Sequence, residues 1–264
     1  MASEMLSFDI ISDGTFSLDP GAIFGMTPRN VWSREFKVNE NYRILLNANI
    51  SIIEDDGTFY MIDSGIGPSP GEYLEKWFEA KPNNNLKNYM EKRKISKIHS
   101  IFHTHLHFDH MGHSFKDLSS SISYADHREV ENFKFPNELA LSSYTYGDKS
   151  LDISGLRPIF WDQDIGPFTI MHTGGHTTGH QAILFKKGNI KLMFPGDLIP
   201  STFHLKPTRI TAIDSEPLKS LKNKKELIKK AINENYTVIL VHDMKTMAVR
   251  LSGNTDAPKY EEVA

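Results

Sequence analysis

His105-Leu106-His107-Phe108-Asp109-His110 places four metal-capable side chains within six residues. An apolar run, Ile98 to Phe102, precedes it and reads as a buried strand, so the cluster sits at a strand's C-terminal exit. Imidazole and carboxylate are the ligands that a borderline divalent ion such as zinc takes. Buried polar groups cost free energy unless they find partners, so this density makes little sense as core chemistry. The stretch points to a function written by a metal.

Three later sites repeat the pattern. Thr173-Gly174-Gly175-His176-Thr177-Thr178-Gly179-His180 is a Gly-rich turn at a strand end. Phe194-Pro195-Gly196-Asp197 ends another expected strand in a carboxylate, and Val241-His242-Asp243 ends a third. Each brings a ligand-type residue to the point where rigid scaffold meets loop, the usual place for a site. The combined set is too large for one tetrahedral zinc and suits two ions that share a carboxylate.

Composition bounds the rest. The 264 residues are 39% hydrophobic and 24% charged, as in an ordinary soluble globular protein with a sizeable core. A formal net charge of -3 offers no strong basic field for nucleic acid. The chain has no cysteine, which excludes disulfides, thiolate nucleophiles and thiolate metal ligands. The opening Met1-Ala2-Ser3-Glu4-Met5 lacks the basic-then-apolar pattern of a signal peptide. No apolar run approaches the roughly 18 residues of a membrane span, so no membrane partner and a cytoplasmic location are expected.

Patterning predicts strands at Phe8 to Ser12, Ile44 to Glu54 and Phe59 to Ile62, the last two joined by an Asp55-Asp56-Gly57 hairpin turn. Pro20 to Trp32 reads as a loop, and Gly71 to Ala80 and Leu86 to Lys94 as helices. Asp126 caps a short helix to Phe133, and the irregular, aromatic residues 134–156 are expected to cover the site. Strands follow at Phe168 to Thr173, Ala182 to Lys186, Lys191 to Phe194 and Thr237 to Val241. Glu216 to Asn235 is a helix whose lysines read as a solvated face, and Asn254 to Ala264 reads as a polar tail. This order suits an α/β sandwich, with residues 1–264 as a single domain.

Together HLHFDH, GGHTTGH, PGD and VHD resemble the metallo-β-lactamase superfamily, as does Ile62-Asp63-Ser64-Gly65. The resemblance covers almost the whole chain and implies the metallo-β-lactamase fold, a four-layered αββα sandwich. It assigns His105, His107 and His176 to a first metal and Asp109, His110 and His242 to a second, with Asp197 bridging. It implies two divalent ions, zinc first, with iron, manganese or cobalt accepting the same ligands. It further implies that a bridging hydroxide attacks the substrate, that Asp109 binds metal and orients that hydroxide as the catalytic residue, and that no side-chain nucleophile is required. Asp63 is expected to order a ligand from behind. His180 is the non-ligand histidine of its motif, and His99, His103 and His113 fall off the ligand pattern and read as structural or backing.

Absences narrow the branch. Without cysteine the thiolate-using β-lactamases are excluded, and His107 stands where flavodiiron oxidoreductases carry Glu. About twenty residues follow His242, too few for the glutathione-binding helices of glyoxalase II enzymes. The Asp19-Pro20-Gly21-Ala22-Ile23-Phe24-Gly25 loop, His180-Gln181 and Gly196-Asp197-Leu198-Ile199-Pro200 are similar to the lactonase-like branch, which includes methyl-parathion-hydrolase-like enzymes. That implies hydrolysis of a small-molecule ester, a lactone first, by a homodimer. Pro200 departs from the Tyr that acyl-homoserine lactonases place three residues after the bridging Asp, which argues against that substrate without touching the metal chemistry. Phe24 is a candidate pocket residue and His204 a candidate donor in place of the missing Tyr. A phosphotriesterase or phosphodiesterase using the same metal pair is the alternative, and a non-catalytic metal- or ligand-binding protein is the reading from another class.

Overall fold

The computed structural model describes residues 6–146 and 151–263. Residues 1–5, where no signal pattern is read, residues 147–150 of the expected cover, and the final tail residue lie outside the described residues. The chain divides into two compact units, one of residues 6–16 and 47–160, the other of residues 17–46 and 161–263.

The first unit is built on β1 (Leu6–Leu18), β2 (Ile44–Asp55), β3 (Thr58–Ile62), β4 (Lys81–Pro82), β5 (Ser100–Phe102), β6 (Ile122–Asp126) and β7 (Leu156–Ile159). Their order in the sheet is β4-β1-β2-β3-β5-β6-β7. The β2–β3 hairpin turns through Asp56 (φ 48°) and Gly57 (φ 78°), both left-handed as a two-residue hairpin requires. From β3 onward the neighbours β5, β6 and β7 run parallel, so their C-terminal ends lie on one side. Ile50, Ile52, Met61, Ile98 and Ile101 pack against Leu86 of the helix Asn85–Arg93. A second cluster joins Leu106, Met111 and Ala125 to Tyr144 and Leu156.

The second unit carries β8 (Gln163–Ile165), β9 (Phe168–His172), β10 (Gln181–Lys187), β11 (Ile190–Phe194), β12 (Thr237–Ile239), β13 (Ala248–Asn254) and β14 (Ala257–Glu262), paired in sequence order except for the long helix Pro217–Glu234 between β11 and β12. That helix lays Leu227, Ile228 and Ala231 on Leu184, Met193, Val238 and Val249. No described helix is long and apolar enough to cross a membrane.

Several expectations change. Pro20 to Trp32 is not a plain loop: it forms two short helices, Pro20–Phe24 and Arg29–Trp32. Asp19 caps the first by accepting from the Gly21 amide (2.6 Å), and Pro20 opens it without losing a needed donor. The polar tail is half of a hairpin, with Leu251 facing Tyr260. Its side chains are mostly exposed, so backbone pairing rather than apolar burial makes the strand. The helix lysines are not all solvated: Lys224 is 1% exposed and donates to the Arg209 carbonyl (2.7 Å). The Asp126 cap holds as expected, its carboxylate accepting from the Arg128 amide (2.8 Å).

Candidate metal centre

In the first unit the donor-rich stretch leaves β5 as the strand pattern predicts. Ile62 and Phe102 are register partners on parallel strands, so Asp63 and His103 leave the sheet side by side. The turn Asp63–Gly67 then packs against the short helix Phe108–Met111. Ser64 N donates to the His110 carbonyl (2.7 Å) and Gly112 N to the Gly65 carbonyl (2.8 Å). A side chain at Gly112 would come within 2.1 Å of the Ile66 backbone, so only glycine permits this approach.

Asp63 holds a left-handed backbone (φ 53°), rare outside glycine and costly unless the surroundings enforce it. Its carboxylate accepts from Thr104 N (2.7 Å), from Thr104 Oγ1 (2.9 Å) and from His110 Nδ1 (2.9 Å). With Nδ1 donating, the His110 ring presents its Nε2 lone pair, the form a metal ligand needs. Asp109 Oδ2 lies 3.7 Å from that Nε2. His105 Nε2 and His107 Nδ1 face each other at 3.0 Å, and the His105 and His110 rings are 4.0 Å apart. All four donors are buried.

The second unit assembles its donors from three strand exits. Gln181 pairs with His172 and Ile183 with Phe194, while β11 and β12 run parallel. The turn 173–180, the end of β11 and the end of β12 therefore share one end of the sheet. Asp197 lies between two imidazoles: its Oδ2 is 3.4 Å from His176 Nε2 and its Oδ1 is 3.0 Å from His242 Nε2. His176 Nδ1 donates to Asp214 Oδ1 (2.9 Å), which again turns Nε2 forward. Burial pushes the Asp214 carboxyl up, but hydrogen bonds from His176, Ser220 and Thr211 outweigh it and hold the group below its ordinary value.

Three further histidines are placed by their partners. His180 hydrogen-bonds Thr173 Oγ1 (2.7 Å) through Nδ1. His103 donates to the His110 carbonyl (3.1 Å) and accepts from Ser114 (3.0 Å), and burial lowers its pKa to about 4. His204 donates through Nε2 to the Ile23 carbonyl (2.9 Å) and accepts at Nδ1 from Ser201 (2.8 Å). Its pKa falls to about 3, first through burial and then through Lys224. Phe24 stacks on Trp32 and meets Phe203, both at 5.0 Å between centroids, within this aromatic cluster.

Two groups escaped sequence reasoning. Asp214, in Ala212-Ile213-Asp214-Ser215, matches none of the donor motifs. Glu129, on the helix His127–Lys134, looks like one charge in an amphipathic pattern, yet it is 0% exposed.

The donor set fits divalent metal ions. It holds imidazole and carboxylate alone, and in His110 and His176 a carboxylate behind Nδ1 leaves Nε2 as the ligand atom, the arrangement by which proteins orient metal-binding histidines.

Comparison with known proteins agrees. A model of the metallo-beta-lactamase superfamily matches residues 43–234. No curated protein matches the chain. Among solved structures, a probable metal-dependent hydrolase from Staphylococcus aureus is 26% identical, with a TM-score of 0.86 over 98% of this chain and 98% of its own. AidC, a dizinc quorum-quenching lactonase in complex with a homoserine product, is 16% identical, with a TM-score of 0.78 over 99% and 97% of the two chains. The hydrolase AbOPH of the beta-lactamase superfamily is 17% identical, with a TM-score of 0.77 over 100% and 96%. At such identities the last two establish a shared fold.

Proposed function

This chain belongs to the metallo-β-lactamase superfamily, and we propose that within it the protein is a two-metal hydrolase of ester bonds, with lactones as its first substrate class. The observation that carries the reading is the donor set, in which buried histidines are backed at Nδ1 by Asp63 and Asp214 and stand beside Asp109 and Asp197. In this reading His105, His107 and His176 would hold the first ion and Asp109, His110 and His242 the second, with Asp197 a candidate ligand to both. Zinc is the expected ion for such ligands. In this reading residues 1–264 form one hydrolase domain that takes a small-molecule substrate.

When bound, the ions would supply Lewis acidity, the means by which water is acidified toward a pKa of about 7 and a carbonyl is polarised. The protein's own residues do the rest. Asp63 and Asp214 fix the tautomers of His110 and His176. Asp109 would orient the attacking water, take up its proton and return it to the oxygen that leaves as the acyl C–O bond breaks. Burial of the donors excludes bulk water and strengthens each electrostatic contact. His204, with both ring nitrogens engaged inside an aromatic cluster, is assigned to packing rather than to the substrate, and so is Phe24. The lactone preference draws support from the lactonase-like loops of the sequence and from the fold shared with AidC.

The test is pH-stat hydrolysis by zinc-loaded protein of acyl-homoserine lactones, simple γ- and δ-lactones, an aryl ester and a phosphotriester, with Asp109→Ala as control. Turnover of simple lactones that depends on Asp109 is expected. Turnover of the phosphotriester alone moves the assignment to phosphoesterase, and silence across the panel with metal bound overturns the ester reading.

A further inference from the structure

Leu106, the middle residue between two ligand-type histidines, is tied from behind. The Leu106 amide donates to Glu129 Oε1 (3.1 Å). The same oxygen accepts from the Tyr144 hydroxyl (2.5 Å). Asn132 Nδ2 lies 3.5 Å from the other carboxylate oxygen. The Tyr144 ring in turn stands edge-on to His107, with centroids 4.8 Å apart at 73°. Glu129 therefore reaches His107 by two routes, through the backbone on its N-terminal side and through the ring packed on its face.

The location is costly. Glu129, Leu106 and Tyr144 are all buried, and a carboxylate is almost never fully buried without a purpose for its partners. Its helix begins at the C-terminal end of β6, beside the β5 exit that bears the histidines, so the carboxylate is delivered to the loop by the parallel pairing of the two strands. A nonpolar residue would leave the Leu106 amide and the Tyr144 hydroxyl without this acceptor.

We propose that Glu129 is a positioning residue for the first metal: through Leu106 and Tyr144 it sets the place and the ring plane of His107. This rests on the two-metal reading above. Glu129 acts through these two neighbours rather than as a ligand. It also links the stretch after the helix, from which Tyr144 comes, to the histidine it packs against.

The test measures zinc affinity by chelator competition, alongside the melting temperature of metal-free protein, for wild type, Glu129→Gln, Glu129→Ala and Tyr144→Phe. Outer-shell partners of metal ligands are worth about 10–100-fold in affinity, and that loss is expected for Glu129→Ala. Tyr144→Phe keeps the ring and removes only the hydroxyl, so a smaller loss, of roughly 3–10-fold, is expected. Glu129→Gln keeps an acceptor oxygen and should recover affinity to within about 3-fold of wild type. A merely structural role would lower the melting temperature and leave affinity unmoved. If Glu129→Ala does not fold, Tyr144→Phe and Glu129→Gln carry the test. Unchanged affinity in Tyr144→Phe, or no difference between Gln and Ala, overturns the proposal while the metal reading stands. A wild type that takes up no zinc overturns both.

Discussion

His105, His107, Asp109 and His110 leave one strand exit of the first unit within six residues, whereas His176, Asp197 and His242 reach one end of the second unit's sheet from three separate exits. The first group is held by local turns, the Asp63 carboxylate and a glycine that lets two loops touch. The second depends on register: antiparallel β10–β11 and parallel β11–β12 carry the three exits to the same edge. Yet both place a carboxylate behind a histidine Nδ1, Asp63 in one and Asp214 in the other, at 2.9 Å each. The difference teaches that candidate donors can be supplied locally or over long range while their orientation is solved the same way.

The largest expected effect breaks the first group at its chemistry. Asp109→Ala should lower kcat for lactone hydrolysis on the order of 10³-fold, as loss of a group that handles the reacting proton does. A loss of less than tenfold would remove Asp109 from the mechanism.

Next, the two backing carboxylates should weigh about equally. Asp63→Asn and Asp214→Asn should each weaken zinc binding by about 10–100-fold in chelator competition. A large loss for one and none for the other would end the parallel between the units.

The units also differ in the charge of their buried bases. In the first, burial opposes protonation of His113, but Asp117 (2.9 Å) and Asp13 (2.8 Å) outweigh it and raise the ring's pKa to about 9. In the second, burial lowers Lys224 to about 7. For His113 the folded value lies above the unfolded value of roughly 6.5, so its stabilisation is complete below that pH and is lost as pH rises through about 9. Denaturant titration should find wild type more stable than His113→Gln on the order of 2 kcal/mol at pH 6, with the gap closing toward pH 10. A gap that widens with pH would reverse the sign.

The smallest effect sharpens the second group. Thr211 Oγ1 donates to Asp214 Oδ1 at 2.6 Å. Thr211→Val should cost about 1 kcal/mol of that support, seen as a roughly fivefold loss of zinc affinity. Unaltered affinity would mean that Asp214 holds its place without Thr211.

Much of the fold was readable because its signals are local. The Asp55-Asp56-Gly57 turn, the Asp126 cap and the strand before His105 each declare themselves within a few residues. The ligand-type residues share that property, since strand exits can be read from apolar runs. Glu129, Asp214 and Lys224 were not readable, because no motif marks them and the burial of their side chains is decided by distant contacts. Lys224 sits between Asn223 and Lys225, and nothing in that run distinguishes it from a solvated lysine. The C-terminal hairpin was missed for a related reason: its strand is held by backbone pairing that leaves no apolar pattern.

Metal content tests the central claim most directly. Protein stripped by chelator, reloaded with zinc and dialysed should retain two ions per chain by plasma mass spectrometry, and Asp197→Ala should retain fewer. A wild type that retains none, or an Asp197→Ala variant that retains as much as wild type, would contradict the shared metal centre proposed here.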